Sequence, residues 1–412
     1  MTTCMQACTP GSGAAIQVAA LGKQDLVLRG RWSPFKIQYR RHVPFVTWVD
    51  EVKIQYSPLT RTRVDIPKKA DFLGDMYLEI RLPVLTPDSF EPGPGLTPPV
   101  VPSVWNAHIG YRLLRRIRLM LDDQEIHNIE RLWLDLYDRL YTRAGHAQGL
   151  LAMVGRDPLP TNQPHILYIP LRFLMCRKGF ARAPLPLQAM SSSLTVDIEW
   201  EGLGTLCPGL RDDPGLDIRV LCEYADVDTV GQPPPQHQEL TLAFESVIDS
   251  DQTTYTVDSG GAIQRLPNVS VNLGNVRFSA KAIVWVAYTE GTQNANNTLF
   301  EYIDRPLTNA RITFNKQDRV SVHGDTYYTL VQPYFYGLRS CAGGSLCPPN
   351  MYSFCLKAMS RYHTGTANFG NLQEVSLKGD VRPETPLSKI KVFTLYHNVL
   401  RIKNTSAKVM FV

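Results

Sequence analysis

A strict alternation of apolar and polar side chains in residues 194–200 places the strongest constraint on the fold. A period of two residues is the repeat of a β-strand with one face in a core and the other in water. Just upstream, Pro184 and Pro186 each lack a backbone N–H, so they suit the start or the edge of a strand. The sequence therefore predicts an antiparallel sheet with one solvated face. Its core side would hold Leu194, Val196, Ile198 and Trp200, and its solvent side Thr195, Asp197, Glu199 and Glu201.

The size and composition of the chain predict a globular protein with two domains. Its 412 residues are more than a domain with a single hydrophobic core usually contains. The 30 prolines and 28 glycines are spread along the chain, which favours many short strands and turns over long helices. The N-terminal residues lack the basic and apolar regions of a signal peptide, and no apolar run approaches the ~20 residues of a membrane span. We therefore expect synthesis in the cytoplasm.

The charge and the side-chain chemistry argue against several functional classes. A net charge of +5 is small for a nucleic-acid-binding protein, which usually carries a strongly basic domain. The eight cysteines lack zinc-site spacing, so we expect buried thiols and neither a metal nor a cofactor. The chain contains no Gly-x-Ser-x-Gly, His-Glu-x-x-His or glycine-rich nucleotide motif. An enzyme remains an alternative, because distant residues can assemble a catalytic site in the fold.

One segment, residues 129–141, has the repeat of an amphipathic helix. Its apolar residues follow the i, i+3, i+4, i+7, i+11 spacing that places them on one helical face. The sequence therefore predicts a helix that plugs one end of a barrel or bridges a loop. The apolar residues of this stripe are Ile129, Leu132, Trp133, Leu136 and Leu140.

The strand pattern stops at the segment GQPPPQHQ, residues 231–238, where three consecutive prolines would hold an extended spacer. We therefore predict a flexible arm at residues 1–15, a first module at 16–230, this linker, and a second module at 239–412. The second module is predicted to consist of strand-like segments throughout. These include the aromatic and β-branched run YYTLVQPYFY at residues 327–336. Patterns of this kind are typical of a β-sandwich or a jelly roll.

The first half contains two sequence blocks and several single residues that match the motifs of one known family. An Ala-x-Gly-x-Gln-Asp block includes Gln24 and Asp25. A Tyr-Arg-Arg-His block follows, and its charged residues would also suit a solvated basic edge. The residues of this block are Tyr39, Arg40, Arg41 and His42, and further matches lie at Trp133, Pro170, Leu171, Pro184 and Pro186. These motifs resemble those of the double jelly-roll major capsid proteins of nucleocytoplasmic large DNA viruses.

The second half resembles the same family, and the matches from residue 16 to residue 402 follow the family's order. A Lys-x-x-x-Trp strand ends at Trp285, and an Asn-x-x-Asp-Arg run contains Asp318 and Arg319. A Tyr-Ser-Phe block and a Gly-Thr-x-Asn-Phe block come next, and an Asn-Val-Leu-Arg-Ile block closes the series. The residues of these three blocks are Tyr352, Phe354, Gly365, Asn368, Phe369, Asn398 and Arg401.

The resemblance implies an all-β fold of two tandem eight-stranded jelly-roll barrels, with a short helix in a loop of the first barrel. It implies a structural, non-enzymatic capsid protein whose homotrimers form pseudo-hexagonal capsomers in an icosahedral shell. The matched residues would then be candidates for assembly contacts. Expected partners are other copies, neighbouring capsomers, and minor, cement and penton proteins, with an internal viral membrane as a further candidate. No direct nucleic-acid contact is expected. The expected location is the virion capsid, after assembly in the host cytoplasm.

Two alternatives remain open. The first is a double jelly-roll scaffold or minor capsid paralogue that acts in assembly. The second is a jelly-roll carbohydrate-binding protein or hydrolase, which would need an aromatic platform or a cleft with paired carboxylates. The family usually has Ile-Ala-Leu where this chain has Gln188-Ala189-Met190. Such departures leave open the virus group and the choice between a major and a minor capsid role.

Overall fold

The computed structural model describes residues 45–86, 89–90, 104–142, 144–176, 184–207, 210, 215–227, 239–258, 261–289, 299–336, 349–358 and 363–410. The predicted arm and linker lie outside these residues. So do Gln24, Asp25, Tyr39, Arg40, Arg41 and His42. The domain boundaries at residues 16, 230 and 239 therefore stay a prediction.

The first module contains two sheets built from nine strands within the described residues. One sheet has the order β1-β9-β3-β6, with the short β7 paired to β3, and is called the β1 sheet below. The other has the order β2-β8-β4-β5. The strands are β1 (Phe45–Gln55), β2 (Arg61–Ile66), β3 (Phe72–Leu82), β4 (Leu114–Leu121), β5 (Gln124–Glu130), β6 (His165–Leu171), β7 (Leu185–Pro186), β8 (Leu194–Trp200) and β9 (Asp217–Val227).

The second module repeats this arrangement. Its six-stranded sheet, called the β10 sheet below, has the order β10-β20-β14-β17, with β18 on β14 and β21 on β20. A four-stranded sheet has the order β13-β19-β15-β16, and β11 and β12 form a hairpin. The strands are β10 (Leu240–Thr253), β11 (Tyr255–Val257), β12 (Ile263–Arg265), β13 (Asn268–Asn272), β14 (Ser279–Thr289), β15 (Leu307–Phe314), β16 (Gln317–His323), β17 (Asn350–Ser353), β18 (Ala367–Asn368), β19 (Val375–Val381), β20 (Ser388–Lys403) and β21 (Ser406–Val409).

Both modules have the strand order of a jelly roll. If the short β7, β11, β12, β18 and β21 are set aside, each module has eight main strands in the described chain. In each module, the first, eighth, third and sixth strands form one sheet, and the second, seventh, fourth and fifth form the other. The predicted double jelly roll is confirmed. The described residues between 47 and 226 and between 239 and 410 belong to one compact unit.

Helical segments lie in the connections between strands. The predicted helix is confirmed as Arg131–Tyr141, called the Trp133 helix below. It begins two residues later than expected, because Ile129 and Glu130 still pair with β4 at the end of β5. The other helical segments are Ile109–Arg112, Ala144–Met153, Leu203–Leu206, the π-helix Tyr327–Val331, the α-helix Gln332–Tyr336 and the 3₁₀ turn Phe369–Asn371.

The strand predicted at residues 327–336 was wrong, because this segment is helical. Tyr328 is buried, its ring lies 5.0 Å from that of Trp285, and its hydroxyl donates to the Ala310 carbonyl. One turn later, the Gln332 side-chain oxygen accepts a hydrogen bond of 3.1 Å from the Ser353 backbone N–H. These contacts with β14, β15 and β17 outweigh the strand propensity of the aromatic and β-branched residues.

The predicted alternation in β8 holds for the core face and fails for the other face. Thr195 and Asp197 are 5% and 1% exposed, although they were expected in water. Asp197 accepts hydrogen bonds from Arg61 and Arg63 of the adjacent β2, the latter at 3.0 Å. The long arginine side chains shield the carboxylate from solvent while they neutralise its charge.

β14 is buried on both faces, which explains its continuous apolar sequence. Ile283 and Trp285 pack in the core of the second module. Val284 and Val286 point the other way and belong to the core that continues into the first module. A strand covered on both faces has no need of polar alternation.

We predict that Trp285→Ala destabilises the second module. Trp285 is 1% exposed, so truncation leaves a cavity and should lower the free energy of unfolding by about 3–5 kcal/mol. Urea unfolding followed by circular dichroism measures this loss. Leu356 is 78% exposed, so Leu356→Ala is the control and should change stability by less than about 0.5 kcal/mol. Equal effects of the two substitutions would contradict the packing described here.

Candidate assembly interface

The junction between the two modules is a contact surface built from apolar, aromatic and charged side chains of both modules. The Trp133 helix belongs to the connection between β5 and β6, and it lies against the β10 sheet of the second module. The Trp133 ring is 5.4 Å from that of Phe393 in β20. The Tyr141 hydroxyl donates a hydrogen bond of 2.9 Å to the Glu245 carboxylate in β10. The helix therefore covers the face of the β10 sheet that points away from its own core.

The Trp133 helix is buried nearly all round. Nine of its eleven residues are buried, including Asp135, Asp138 and Arg139, which lie outside the apolar stripe. A surface helix would leave such residues in water. The sequence therefore located the helix, but it did not predict that the polar side is also enclosed.

The three buried charged residues of the Trp133 helix each have a partner of opposite charge. Arg139 Nε lies 2.7 Å from the Asp135 carboxylate, and Arg172 lies 2.6 Å from that of Asp138. Burial raises the pKa of Asp138, and Arg172 opposes this shift. The Tyr302 hydroxyl from the second module also donates to Asp135 at 2.9 Å. Pairing of this kind offsets the free-energy cost of desolvating the charges.

Two lysines of the second module are also enclosed. The Lys281 side chain is fully buried, and its Nζ lies 3.3 Å from the Glu245 carboxylate. Lys391 forms ion pairs with Glu130 of β5 and with Asp249, the latter at 3.1 Å. The Lys391–Glu130 pair joins the two modules directly.

We predict strong coupling between Lys281 and Glu245. Glu245→Gln should cost about 3–5 kcal/mol of unfolding free energy, because it leaves the Lys281 ammonium without its carboxylate in a buried site. Lys281→Met combined with Glu245→Gln should recover most of that loss. Chemical denaturation of the two single variants and the double variant gives the coupling energy. Additive effects in this cycle would refute the pairing.

Two histidines are buried at the junction in uncharged form. Burial lowers the pKa of His127 to about 3, against an opposing effect of Glu245. Burial also lowers the pKa of His108 to about 4, and Asp135 opposes this shift. The His127 ring packs 5.1 Å from that of Phe244, and the His108 ring stacks on Phe300 at 4.8 Å. Each of these contacts joins one module to the other.

We predict that acid weakens the junction. Above a pH of about 6.5, His127 is neutral in the folded and the unfolded chain, so it has no effect on stability. As the pH falls from 6.5 towards 3, only the unfolded chain takes up the proton, and stability is lost. At pH 5 this loss is about 2 kcal/mol for His127.

The test is the change in melting temperature between pH 7.5 and pH 5. His127→Leu should reduce this change, and a cavity of about 60 Å³ beside His127 leaves room for the new side chain. His146 is exposed, so His146→Leu should leave the change as it is in the original chain. Identical pH profiles for all three proteins would contradict the role of His127.

Apart from Trp133 in its helix, the described motif residues of the first module lie in the β1 sheet or directly beside it. Pro170 and Leu171 end the edge strand β6, opposite Tyr77 and Met76. Pro186 lies in β7, where it pairs with Phe72, and Pro184 lies directly before this strand. Pro184 therefore lies at a strand entry, as expected from its missing N–H, and Pro186 lies in a short strand that pairs with β3.

Several motif residues of the second module form one aromatic cluster. The Phe354 ring is 5.1 Å from that of Tyr352 and 5.6 Å from that of Phe369. The Asn368 side chain accepts a hydrogen bond of 3.0 Å from the Gly370 N–H and so caps the 3₁₀ turn. Gly365 has φ of +124°, a conformation that favours glycine. These motifs build the interior and the turns of the module.

The remaining motif residues are spread over β16 and β20. Asn398 is buried opposite Phe244, whereas Arg401 forms an ion pair of 2.5 Å with Glu239. Asp318 lies 3.9 Å from Arg311, and Arg319 is exposed. The motif residues that the structure describes are therefore not gathered into one site. Their role as assembly contacts stays a prediction.

The sequence did not single out an exposed apolar surface on the helical segment after β16. Its residues, called the module-two insert patch, are Leu330, Val331, Tyr334 and Phe335, with exposed fractions of 46%, 39%, 67% and 68%. The pairs are spaced by four residues, which is a helical repeat. This signal was missed because polar Thr329 and Gln332 are buried while the apolar residues face out.

Within the described ranges, no group of three or more His, Cys, Asp or Glu side chains could hold a metal ion. No helix in those ranges is long and apolar enough to cross a membrane. The thiols of Cys176, Cys207, Cys222 and Cys355 are free and buried, as expected. Burial raises the pKa of Cys207 to about 11, which makes this thiol unreactive at neutral pH. The other four cysteines lie outside the described chain.

Comparison with family models identifies both halves of the chain. Residues 33–208 match a model described as the N-terminus of major capsid proteins. Residues 251–408 match a model described as the large eukaryotic DNA virus major capsid protein. The chain belongs to this family.

Relatives within the major capsid protein family match the chain over most of its length. The major capsid protein of Pyramimonas orientalis virus is 25% identical, and the alignment covers 95% of this chain and 97% of the relative. That of Paramecium bursaria Chlorella virus 1 is 24% identical, with 89% and 86% covered. The resemblance seen in the sequence motifs is thereby confirmed.

Solved structures of capsid proteins share the fold. VP54 of PBCV-1 superimposes with a TM-score of 0.71 at 17% identity, over 92% of this chain and all of that chain. The Faustovirus major capsid protein gives a TM-score of 0.67 at 10% identity, over 94% of this chain and 96% of that one. At such identities the likeness concerns the fold alone.

Proposed function

We propose that this capsid protein forms homotrimers that act as pseudo-hexagonal capsomers and tile an icosahedral shell. The observation that carries the proposal is the repeated strand order of the two modules within one compact unit of a major capsid protein. Three copies would supply six similar modules around one axis. Such a ring has a nearly hexagonal outline, and closed rotational symmetry is the usual arrangement of homo-oligomers.

The proposed role is structural and not catalytic. The enclosed carboxylates described above are all paired with arginine or lysine, so they are not available as general acids or bases. The buried thiols with a raised pKa are poor nucleophiles. The structural role of the family supports the same conclusion.

The proposed partners follow from the place of the trimer in an icosahedral capsid shell. Neighbouring capsomers would contact the sides of the trimer, and minor, cement and penton proteins would join capsomers or close the vertices. The inner surface could face an internal viral membrane, and no direct contact with nucleic acid is proposed. Assembly would take place in the host cytoplasm, and the mature protein would reside in the virion capsid.

The proposed trimer is tested by the solution mass of the purified protein. Light scattering coupled to size exclusion should give three times the chain mass of 46.4 kDa. The mass should stay constant on dilution, because obligate interfaces are large and apolar. A stable monomer would refute the capsomer.

A second measurement separates the major capsid role from the alternatives. A major capsid protein should dominate the protein mass of purified mature particles and form their surface lattice in electron micrographs. Absence from mature particles would favour the assembly scaffold, and a small share would favour the minor paralogue. Binding to a glycan array or hydrolysis of a glycan would instead favour the carbohydrate-directed alternative.

A further inference from the structure

The contact at the module junction uses two topologically defined surfaces. One is the connection between the fifth and the sixth main strand of the first module, which contains the Trp133 helix. The other is the outer face of the β10 sheet, meaning the face directed away from its own core. Val284, Phe393 and Leu395 on that face are each 1% exposed or less. The connection of one module thus covers the sheet of the next.

The first module has the equivalent sheet, but the described residues cover its outer face only in part, with Glu79 buried and Ile166 exposed. In the β1 sheet, β3 and β9 take the positions that β14 and β20 take in the β10 sheet. Tyr77 pairs with Leu221, and Arg81 pairs with Ile166, so these side chains share one face. Tyr77 and Leu221 are only half-buried, and Ile166 is 50% exposed.

The charges on this outer face are paired with each other. Arg219 lies 2.7 Å from Glu51 and 3.3 Å from Asp217, and Arg81 lies 2.9 Å from Glu79. Charges neutralised in this way can be covered at a lower desolvation cost than isolated ones. The outer face of the β1 sheet therefore combines an apolar surface with locally balanced charge.

The second module has the equivalent connection, and its described part also exposes apolar side chains. The module-two insert patch lies between β16 and β17, the fifth and sixth main strands, as the Trp133 helix does in the first module. The Tyr334 and Phe335 rings contact each other edge to face at 5.1 Å, and both side chains are about two-thirds exposed. Exposed aromatic pairs of this kind are typical anchors of protein interfaces.

We propose that the module-two insert patch packs on the outer face of the β1 sheet of a second copy of this chain. The contact between copies would then repeat, in topology, the contact between modules within one copy. The proposal rests on the trimeric capsomer proposed above and specifies its interface. Each copy offers one patch and one such outer face, which are different surfaces, so the contact is heterologous and closes into a ring.

The first test introduces negative charge into each of the two surfaces in turn. The variants are Tyr334→Asp combined with Phe335→Asp, and Ile166→Asp, all at exposed positions. Circular dichroism should show unchanged folding, whereas light scattering should show a fall from three chain masses to one. Val257→Asp is the matched control, because Val257 is 60% exposed on the β11–β12 hairpin and should leave the trimer intact.

The second test joins the two surfaces covalently. A chain with both Phe335→Cys and Ile166→Cys, treated with a short bismaleimide, should give a covalent trimer on denaturing gels. A chain with only one of these cysteines should give none, because a heterologous contact never brings two copies of the same position together. The described native thiols are buried and compete poorly for the reagent.

The outcomes separate this inference from the proposed function. A wild-type chain that stays monomeric overturns the capsomer and the interface together. A wild-type trimer that persists in all the aspartate variants, with no covalent trimer from the double-cysteine chain, overturns only the interface. A covalent trimer from either single-cysteine chain shows an isologous contact and also overturns the interface.

Discussion

The structure depends on the burial of both faces of the β10 sheet. One face packs in its own module, and the other is covered by the Trp133 helix of the first module. Without the first module, the second face would expose its apolar side chains to water, so the first module serves as its cover. The two jelly rolls therefore form one compact unit and not two independent domains.

The buried charges make this contact specific. An apolar helix could settle on an apolar sheet in several positions. The Lys391–Glu130 ion pair and the Tyr302–Asp135 hydrogen bond between the modules favour one position of the helix on the sheet. A shift of the helix would leave buried charged groups without these partners. The same surface is predicted to be sensitive to acid, because burial lowers the pKa of His127 and of His108. Specificity and acid sensitivity thus have a common origin in polar groups enclosed at the junction.

The sequence predicted the elements better than it predicted their surroundings. The period-two pattern of β8 and the stripe of the Trp133 helix were sufficient for the all-β fold and its main helix. The polar side of β8 was expected in water, but Asp197 is buried with arginine partners. The stripe of the Trp133 helix gave no indication that Asp135 and Asp138 are buried with arginine partners as well. Such partners come from other strands and helices, so no local pattern indicates them. The helix after β16 was missed for a related reason, since its polar side faces the core and its apolar side faces out.

The linkage of the two modules in one chain has a consequence for the order of assembly. The junction is an intramolecular contact, so its effective concentration is fixed at about the millimolar level, whatever the amount of protein in the cell. A contact between copies depends instead on their actual concentration. Each chain can therefore complete its double module while it is still dilute. Closure of the proposed trimer can then wait until synthesis has raised the concentration, so that the timing of shell growth would follow the accumulation of folded subunits.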